Sequence, residues 1–183
     1  MSRTVSDPGW RPAVAVAWRV LTLRPPEASI LMVMRGAVIF LSVAGAVAAV
    51  VAIALGAGSQ EPRIEEATAR IVLGLAVAVG AITLALIGRS GPDVRSQGHL
   101  AVSVFRATML RVLAVAAVQP AGLALSWASG DPAYVIFGTG AAILLMAVGG
   151  PTRDRLGKWQ ELIDESGSDL SLQEALSAPY HTR

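Results

Sequence analysis

Residues 36–55 read GAVIFLSVAGAVAAVVAIAL, and this stretch decides the fold class of the chain. A helix needs about 20 mostly apolar residues to cross the hydrocarbon core of a bilayer, and this stretch reaches that length without a charged residue. A helix on the surface of a soluble protein shows a polar face at a period of about 3.6 residues, whereas Val43–Leu55 shows none. The stretch therefore predicts a transmembrane helix.

Three further stretches have the same character, although their uncharged cores are shorter: residues 71–87, 112–128 and 133–148. None of the four shows the alternation of polar and apolar residues that is typical of a membrane β-barrel. The composition agrees, because 54% of the residues are apolar and only 15% are charged, against about 25% charged in a typical soluble domain. We predict an all-α integral membrane protein, built as a four-transmembrane-helix bundle. This composition argues against a soluble enzyme and against a nucleic-acid-binding domain.

Arginine and lysine are distributed unevenly between the two sides of this bundle. Of the 15 basic residues, only Arg63 and Arg70 fall in segments on the outer side. Short loops rich in arginine and lysine stay in the cytoplasm, so both termini are predicted to be cytoplasmic. The expected location is the bacterial inner (plasma) membrane, with several crossings. The chain has no cysteine, which excludes disulfides, thiolate metal sites and iron–sulfur clusters.

The chain divides into three regions by composition. Residues 1–25 form a cytoplasmic N-terminal segment, residues 26–152 hold the four spans, and residues 153–183 form a cytoplasmic tail. Within the first region, residues 13–23 are either a short amphipathic helix lying on the inner membrane surface or a disordered leader. The sequence leaves both possibilities open.

The C-terminal tail shows the pattern of an amphipathic helix, since apolar residues recur there at helical spacing: Leu156, Trp159, Leu162 and Ile163. Ser171 and Glu174 have the spacing of a capping box, which predicts a second short helix. Both pieces are too short to be stable alone in water and need a surface, either the bilayer or a partner protein. Trp159 and Leu162 are therefore expected to contact lipid or a partner.

The predicted spans contain no Asp, Glu, His, Lys or Arg, and Gln119 is their most polar side chain. It precedes Pro120, which removes a backbone hydrogen bond and kinks the helix. Gln119 is therefore either a polar point on a substrate path or a structural residue. In the second case its amide bonds another helix, or the carbonyl that Pro120 frees.

Arg35 and Arg111 are expected at matching depths in the inner leaflet, each after an apolar stretch. One hypothesis is that they bind an anionic lipid headgroup, or the carboxylate of a partner, between helices. The alternative is that both are anchors whose side chains reach up to the headgroups.

No catalytic or metal-binding constellation is recognisable in the sequence. His99 and His181 lie in polar segments, outside any H-x-x-x-H or H-E-x-x-H pattern. The nucleophile, phosphate-binding and dinucleotide-binding motifs are absent as well. We expect no enzyme activity, no cofactor and no metal.

Three functions stay under consideration. The first is a non-catalytic accessory or structural subunit of a larger inner-membrane complex, in respiration or envelope synthesis, which packs on other membrane subunits through small-residue helix faces and its tail. The second is a small oligomeric transporter or channel for a neutral solute, with Gln119-Pro120 as a broken-helix site. The third, which the sequence supports least, is a lipid-modifying enzyme that uses Asp93, His99 and Asp154 at the inner interface.

Overall fold

The structure is a computed structural model that describes residues 8–21, 28–57, 59, 61–89 and 91–179. These residues form eight α-helices and no strand: α1 Arg11–Leu21, α2 Ile30–Ala54, α3 Glu66–Arg89, α4 Gln97–Ala116, α5 Val118–Ser129, α6 Ala133–Gly149, α7 Arg153–Glu165 and α8 Leu172–Ser177. The only β-type pairing in this part of the chain is an isolated bridge between Ser29 and Pro179. The all-α class is confirmed.

Three helical stretches are long and apolar enough to cross a membrane: Ile30–Ala54, Glu66–Ile87 and Gln97–Ser129. A fourth candidate arises if Ala133–Gly149 and Arg153–Glu165, which are bent by 40° at the break between them, are counted as one span. This assignment rests on length and composition alone.

The outward-facing side chains of α3 show what surrounds that helix. One row of its apolar residues is between 57% and 63% exposed: Ile71, Leu75, Val79, Ile82 and Leu86. Residues at three- and four-residue spacing lie on one face of a helix, so this face is continuous. A continuous apolar face of this length is unfavourable in water and favourable in hydrocarbon. The protein is therefore membrane-embedded.

Two of the helices are longer than the apolar stretches that predict them. Helix α2 begins at Ile30 rather than at Gly36, and the helix that contains the third span begins at Gln97 rather than at Val112. Hydropathy marks only the part of a helix that hydrocarbon can surround, whereas the backbone hydrogen-bond ladder continues into the polar region. The N-terminal parts of α2 and α4 are thus helical because they pack against other helices of the protein.

The junction between α4 and α5 lies at Ala117, whose backbone stays in the helical region with φ −62° and ψ −17°. Pro120 has no N–H to donate to the carbonyl of Ala116, and its ring crowds that carbonyl. The interruption that the sequence predicts beside Gln119 is therefore present one turn before the proline.

The chain forms two compact units, and the boundaries between them fall within α2, within α3, within α4 and directly after α6. The first unit contains the described residues of Met1–Phe40, Ile87–Leu110 and Gly150–Arg183. The second contains the described residues of Leu41–Leu86 and Arg111–Gly149.

The first unit has an apolar core to which both C-terminal helices contribute. Its buried members come from the N-terminal part of α2, from α4, and from α7 and α8: Leu31, Met34, Leu100, Ala101, Val104, Leu156, Trp159, Ile163, Leu172, Ala175 and Leu176. The tail was expected to need the bilayer or a partner protein as a surface. In the structure this chain's own helices supply that surface, because the apolar residues of α7 are buried in one core with residues of α2 and α4.

The short helix α8 begins where the capping box predicts. The hydroxyl of Ser171 accepts a hydrogen bond from the backbone N–H of Glu174 at 3.4 Å. Gln160 on α7, only 3% exposed, fixes the start of the same helix, because its Oε1 accepts the N–H of Leu172 at 2.9 Å. Gln160 could not be recognised from the sequence, since a polar residue in an amphipathic helix resembles any other solvent-facing position.

In the second unit, α5 and α6 form a hairpin in close contact. A Cβ atom added to Gly122 would lie 2.7 Å from the carbonyl oxygen of Tyr134 and 2.9 Å from the Cα of Gly138. Gly130, with φ 70°, ends α5 in the left-handed conformation that glycine adopts without strain. The Asp131 carboxylate then accepts the N–H of Ala133 at 2.8 Å. The short turn after residue 129 thus joins two helices that pack directly on each other.

Candidate functional site

Gln119 lies in the second unit, one residue after the start of α5, and lines a cleft of about 270 Å³. The other lining residues are small or apolar apart from Thr139: Leu41, Ala44, Gly45, Ala48, Ala49, Pro120, Leu123 and Val135. The cleft therefore combines an apolar wall with a single amide and a single hydroxyl side chain.

Gly45 on α2 makes room for the amide of Gln119. A Cβ atom at residue 45 would overlap the Cδ, Oε1 and Nε2 atoms of Gln119. The glycine is needed here for space rather than for backbone conformation, because residue 45 lies within a regular helix. The amide therefore packs against the backbone of α2, where any larger residue would displace it.

The Nε2 atom of Gln119 is buried and has no hydrogen-bond partner among the described residues. An amide donor that is buried in this way costs about 1–3 kcal/mol relative to one that is paired. Two structural roles were predicted for the amide, a bond to another helix or a bond to the carbonyl freed by Pro120. Nε2 makes neither bond within this part of the chain.

Arg35 in the first unit is fully buried and is held by backbone carbonyls of the same chain. Its Nη1 donates to the carbonyl oxygen of Gly9 at 2.6 Å, and its Nε and Nη2 donate to that of Pro151 at 3.4 and 3.2 Å. The guanidinium carbon also lies 5.1 Å from the centre of the Trp10 ring, within the range of a cation–π contact. Arg35 thus joins the entry to α1, the start of α2 and the loop before α7.

Helix α1 packs over Gly36, the residue that follows this arginine. A Cβ atom at residue 36 would lie 3.1 Å from a methyl carbon of Val16 and 3.3 Å from the backbone nitrogen of Ala17. The opposite face of α1 is open, with Val14 55% and Trp18 66% exposed. The sequence left two possibilities open for this region, a short helix or a disordered leader. In the structure it is helical over Arg11–Leu21. Its predicted position in the membrane interface stays a prediction.

The remaining residues predicted to contact lipid or a partner differ in exposure. Arg111, in the second unit, is 1% exposed, and Trp159 is 5% exposed within the core of the first unit. Leu162 is 48% exposed on the outer side of α7. Burial also lowers the pKa of Arg155, at the start of the same helix, because desolvation disfavours its charged form. The lipid and partner contacts of these residues stay predictions.

A second, larger concavity of about 840 Å³ lies in the second unit, and we call it the α3/α6 groove. Residues of both helices line it, together with Asp131: Glu66, Arg70, Leu73, Gly74, Val77, Ala133, Tyr134, Ile136, Phe137, Gly140, Ala141 and Leu144. Cβ atoms added at Gly74 or Gly140 would meet nothing within 4 Å. The groove floor is therefore open to a close approach from outside.

Polar groups occupy one end of the α3/α6 groove. Arg70 pairs with Glu66 one turn earlier on α3, and the Tyr134 hydroxyl donates to the carbonyl oxygen of Glu66 at 3.2 Å. Asp131 lies on the same rim. The groove therefore runs from a polar, net acidic rim into an apolar interior.

Two of the three residues considered for catalysis at the inner interface, Asp93 and His99, have local partners. The Arg95 guanidinium lies 3.7 Å from the Asp93 carboxylate, and the Nδ1 of His99 is 2.8 Å from the Ser96 hydroxyl. Among the described residues, no three or more His, Asp or Glu side chains are grouped so that they could hold a metal ion. His181 lies outside the described residues.

Comparison with known proteins adds no relative to this description. No family model, no curated protein and no solved structure matches the chain significantly. The fold and the two concavities define the class of the protein: it is all-helical and membrane-embedded, with a buried amide in one cleft and ionic groups on the rim of one groove.

Proposed function

We propose that the protein is a non-catalytic subunit of a larger complex in the bacterial inner membrane, with four spans and both termini in the cytoplasm. A transmembrane helix of another subunit would occupy the α3/α6 groove. In lipid, helices associate through close packing rather than through the hydrophobic effect, so grooves with small residues on the floor are where they meet.

The open floor of the α3/α6 groove is the observation that supports this proposal most directly. Gly122 and Gly138 use their missing side chains for contact within the chain, whereas Gly74 and Gly140 face empty space. The net acidic rim with Glu66 and Asp131 favours a partner helix that carries a lysine or arginine at its outer end.

Bulky substitutions in the groove test the proposal. A Cβ atom at either glycine meets nothing within 4 Å, so Gly74→Leu and Gly140→Leu would add bulk to the groove from open positions, and a bound partner subunit should be lost. The matched control is Thr68→Leu, at an exposed position of α3 outside the groove. The measurement is mass spectrometry of each tagged variant after gentle solubilisation from native membranes.

Two results would contradict the subunit function. One is a wild-type chain that purifies alone in every mild detergent. The other is a set of co-purifying proteins that is the same for the groove variants and for Thr68→Leu. A partner lost from both groove variants and retained by the control would identify the groove as its binding surface.

A small transporter or channel for a neutral solute is the second candidate, and the buried Nε2 of Gln119 at a helix break is the observation that favours it. Irregular backbone at membrane depth is typical of substrate sites in transporters. The test is glycerol flux into liposomes that contain the purified protein. Flux that disappears in Gln119→Leu would support transport, and flux equal to that of empty liposomes would exclude it for this solute.

A further inference from the structure

We propose that α1 binds anionic phospholipids at the surface of the bilayer. Its outward side carries apolar residues that enter the lipid interface and arginine residues that bind the phosphate groups. The proposal goes beyond the subunit function and does not depend on it, because lipid surrounds the chain whether or not a partner subunit is bound.

The outward side of α1 consists of two neighbouring rows of side chains. Val14 and Trp18, four residues apart, form an apolar row and are 55% and 66% exposed. Arg11, Ala15 and Arg19 form a second exposed row, which has an arginine at each end. An apolar row beside a basic row is typical of a helix that lies in the membrane interface.

Contacts with α2 fix which side of α1 faces outward. Ala13, Val16 and Ala17 are at most 7% exposed, and each has an atom within 4 Å of the position that a Cβ atom at Gly36 would take. Arg35 also donates a hydrogen bond to the backbone just before α1. The rotation of α1 about its own axis is therefore set within the chain, and both exposed rows point away from α2.

Gly36 also indicates the depth of α1 in the bilayer. The uncharged stretch of α2 begins at this residue, so Gly36 is expected at the boundary between the hydrocarbon and the headgroups. A helix that packs over Gly36 lies at the same boundary. Tryptophan favours this level because its ring has an apolar body and one N–H donor. Trp18 is therefore placed where its exposed ring is stable in lipid.

The charge of α1 favours anionic lipid as the occupant of this face. The helix contains no Asp or Glu, and its two arginines, eight residues apart, are separated by about 12 Å along the axis. A guanidinium binds phosphate through two parallel hydrogen bonds, and basic residues at a membrane surface attract anionic lipids. Phospholipids supply acyl chains for the apolar row and negative charge for the basic row at this depth.

A spin label at residue 14 tests whether the apolar row lies in lipid. The chain contains no cysteine, so Val14→Cys carries a single nitroxide in the full-length protein, which is placed in nanodiscs of phosphatidylglycerol and phosphatidylcholine. Oxygen concentrates in the bilayer, whereas a nickel chelate stays in water. We expect the ratio of oxygen to nickel accessibility to be several times higher for Val14→Cys than for Ser166→Cys, at an exposed loop position.

Brominated lipids, which quench tryptophan fluorescence on contact, test the preference for anionic lipid. The signal of Trp18 is the difference between the chain with and without Trp18→Phe, because the protein has three other tryptophans. We expect brominated phosphatidylglycerol to be preferred over brominated phosphatidylcholine by about fivefold or more, since one basic residue near an anionic surface contributes roughly this factor.

Two double variants separate α1 from the overall charge of the protein. Arg11→Gln/Arg19→Gln should abolish the preference for phosphatidylglycerol, while brominated phosphatidylcholine still quenches Trp18. Arg63→Gln/Arg70→Gln removes the same charge from exposed positions of the second unit and should leave the preference unchanged. All four arginines are exposed, so neither variant removes a buried side chain.

Three results would overturn the proposal. The first is a spin label at residue 14 that is as accessible to nickel as the label at residue 166, or is shielded from both reagents, as a protein partner or a second copy would shield it. The second is equal quenching of Trp18 by the two brominated lipids. The third is an equal loss of preference in both double variants. No partner subunit is present in these measurements, so failure of the subunit function would leave their outcome unchanged.

Discussion

Arg35 shows how much of this fold depends on a single side chain. It is fully buried, and its guanidinium donates hydrogen bonds to the backbone carbonyls of Gly9 and Pro151, which are far from it in sequence. A guanidinium offers five N–H donors in a flat fork, so one arginine can serve both carbonyls and stack on Trp10 at once. The charge is thereby used to bring three separate segments together.

Arg35→Lys should therefore loosen α1. A lysine ammonium is a compact point charge that cannot serve both carbonyls or stack on the ring. Hydrogen bonds from charged groups contribute about 1.5–3 kcal/mol each, so the loss of one corresponds to roughly a tenfold to hundredfold faster opening of Arg11–Leu21. Amide hydrogen exchange measures this opening. Arg106→Lys, at an exposed position of α4, is the control, and equal exchange of α1 in both variants would refute the argument.

At the scale of elements, the α5–α6 hairpin depends on two glycines that face each other. The Cβ atom of an alanine at residue 138 would lie 2.8 Å from the Cα of Gly122, in a contact between backbones that has no flexible side chain to give way. Gly138→Ala should lower the stability of the protein by about 1–3 kcal/mol, the usual cost of overpacking. Thermal unfolding in detergent measures the loss. Gly140→Ala, two residues further along α6 with open space around it, should unfold at the wild-type temperature or slightly above it, because alanine favours a helix over glycine by about 1 kcal/mol.

The elements also show what the sequence could predict and what it could not. The helices, the break near Pro120 and the start of α8 at Ser171 follow from local chemistry, namely hydropathy, a missing N–H and a capping hydroxyl. The packing of the tail within the first unit, where Ile163 lies in the core, could not be predicted from local chemistry. An apolar stripe indicates that a helix needs a surface to pack on, but it does not indicate which surface.

The candidate site, too, could be predicted from the sequence only in part. Gln119 stands out in the sequence because an amide in an apolar stretch beside a proline is unusual, and the break near it was predicted. Its contact with Gly45 could not be predicted, because the contact joins α2 and α5. Gly45 also has no side chain and contributes only space to the contact. Glycine is frequent in this chain, at 18 residues, so no single glycine stands out by composition.

At the scale of the whole molecule, the exposed apolar face of α3 indicates that the protein is embedded in a membrane. The distribution of arginine residues predicts on which side of the membrane the termini lie. The chain contains no cysteine, so one introduced thiol reports the location of one residue without interference. Ser59→Cys and Ser166→Cys suit this purpose, because both serines are exposed in loops that the proposed topology puts on opposite sides.

Labelling of intact cells with a membrane-impermeant maleimide should modify Ser59→Cys and leave Ser166→Cys unmodified until the membrane is permeabilised. The physical reason is the cost of moving arginine-rich segments, such as the one that contains Arg153 and Arg155, across the bilayer. The cysteine-free parent chain, which should stay unlabelled, is the control. Labelling of Ser166→Cys alone in intact cells would mean that the chain has the opposite orientation. Labelling of both variants would mean that the two loops lie on one side of the membrane. That result would contradict the four-span topology, which places three spans between the loops.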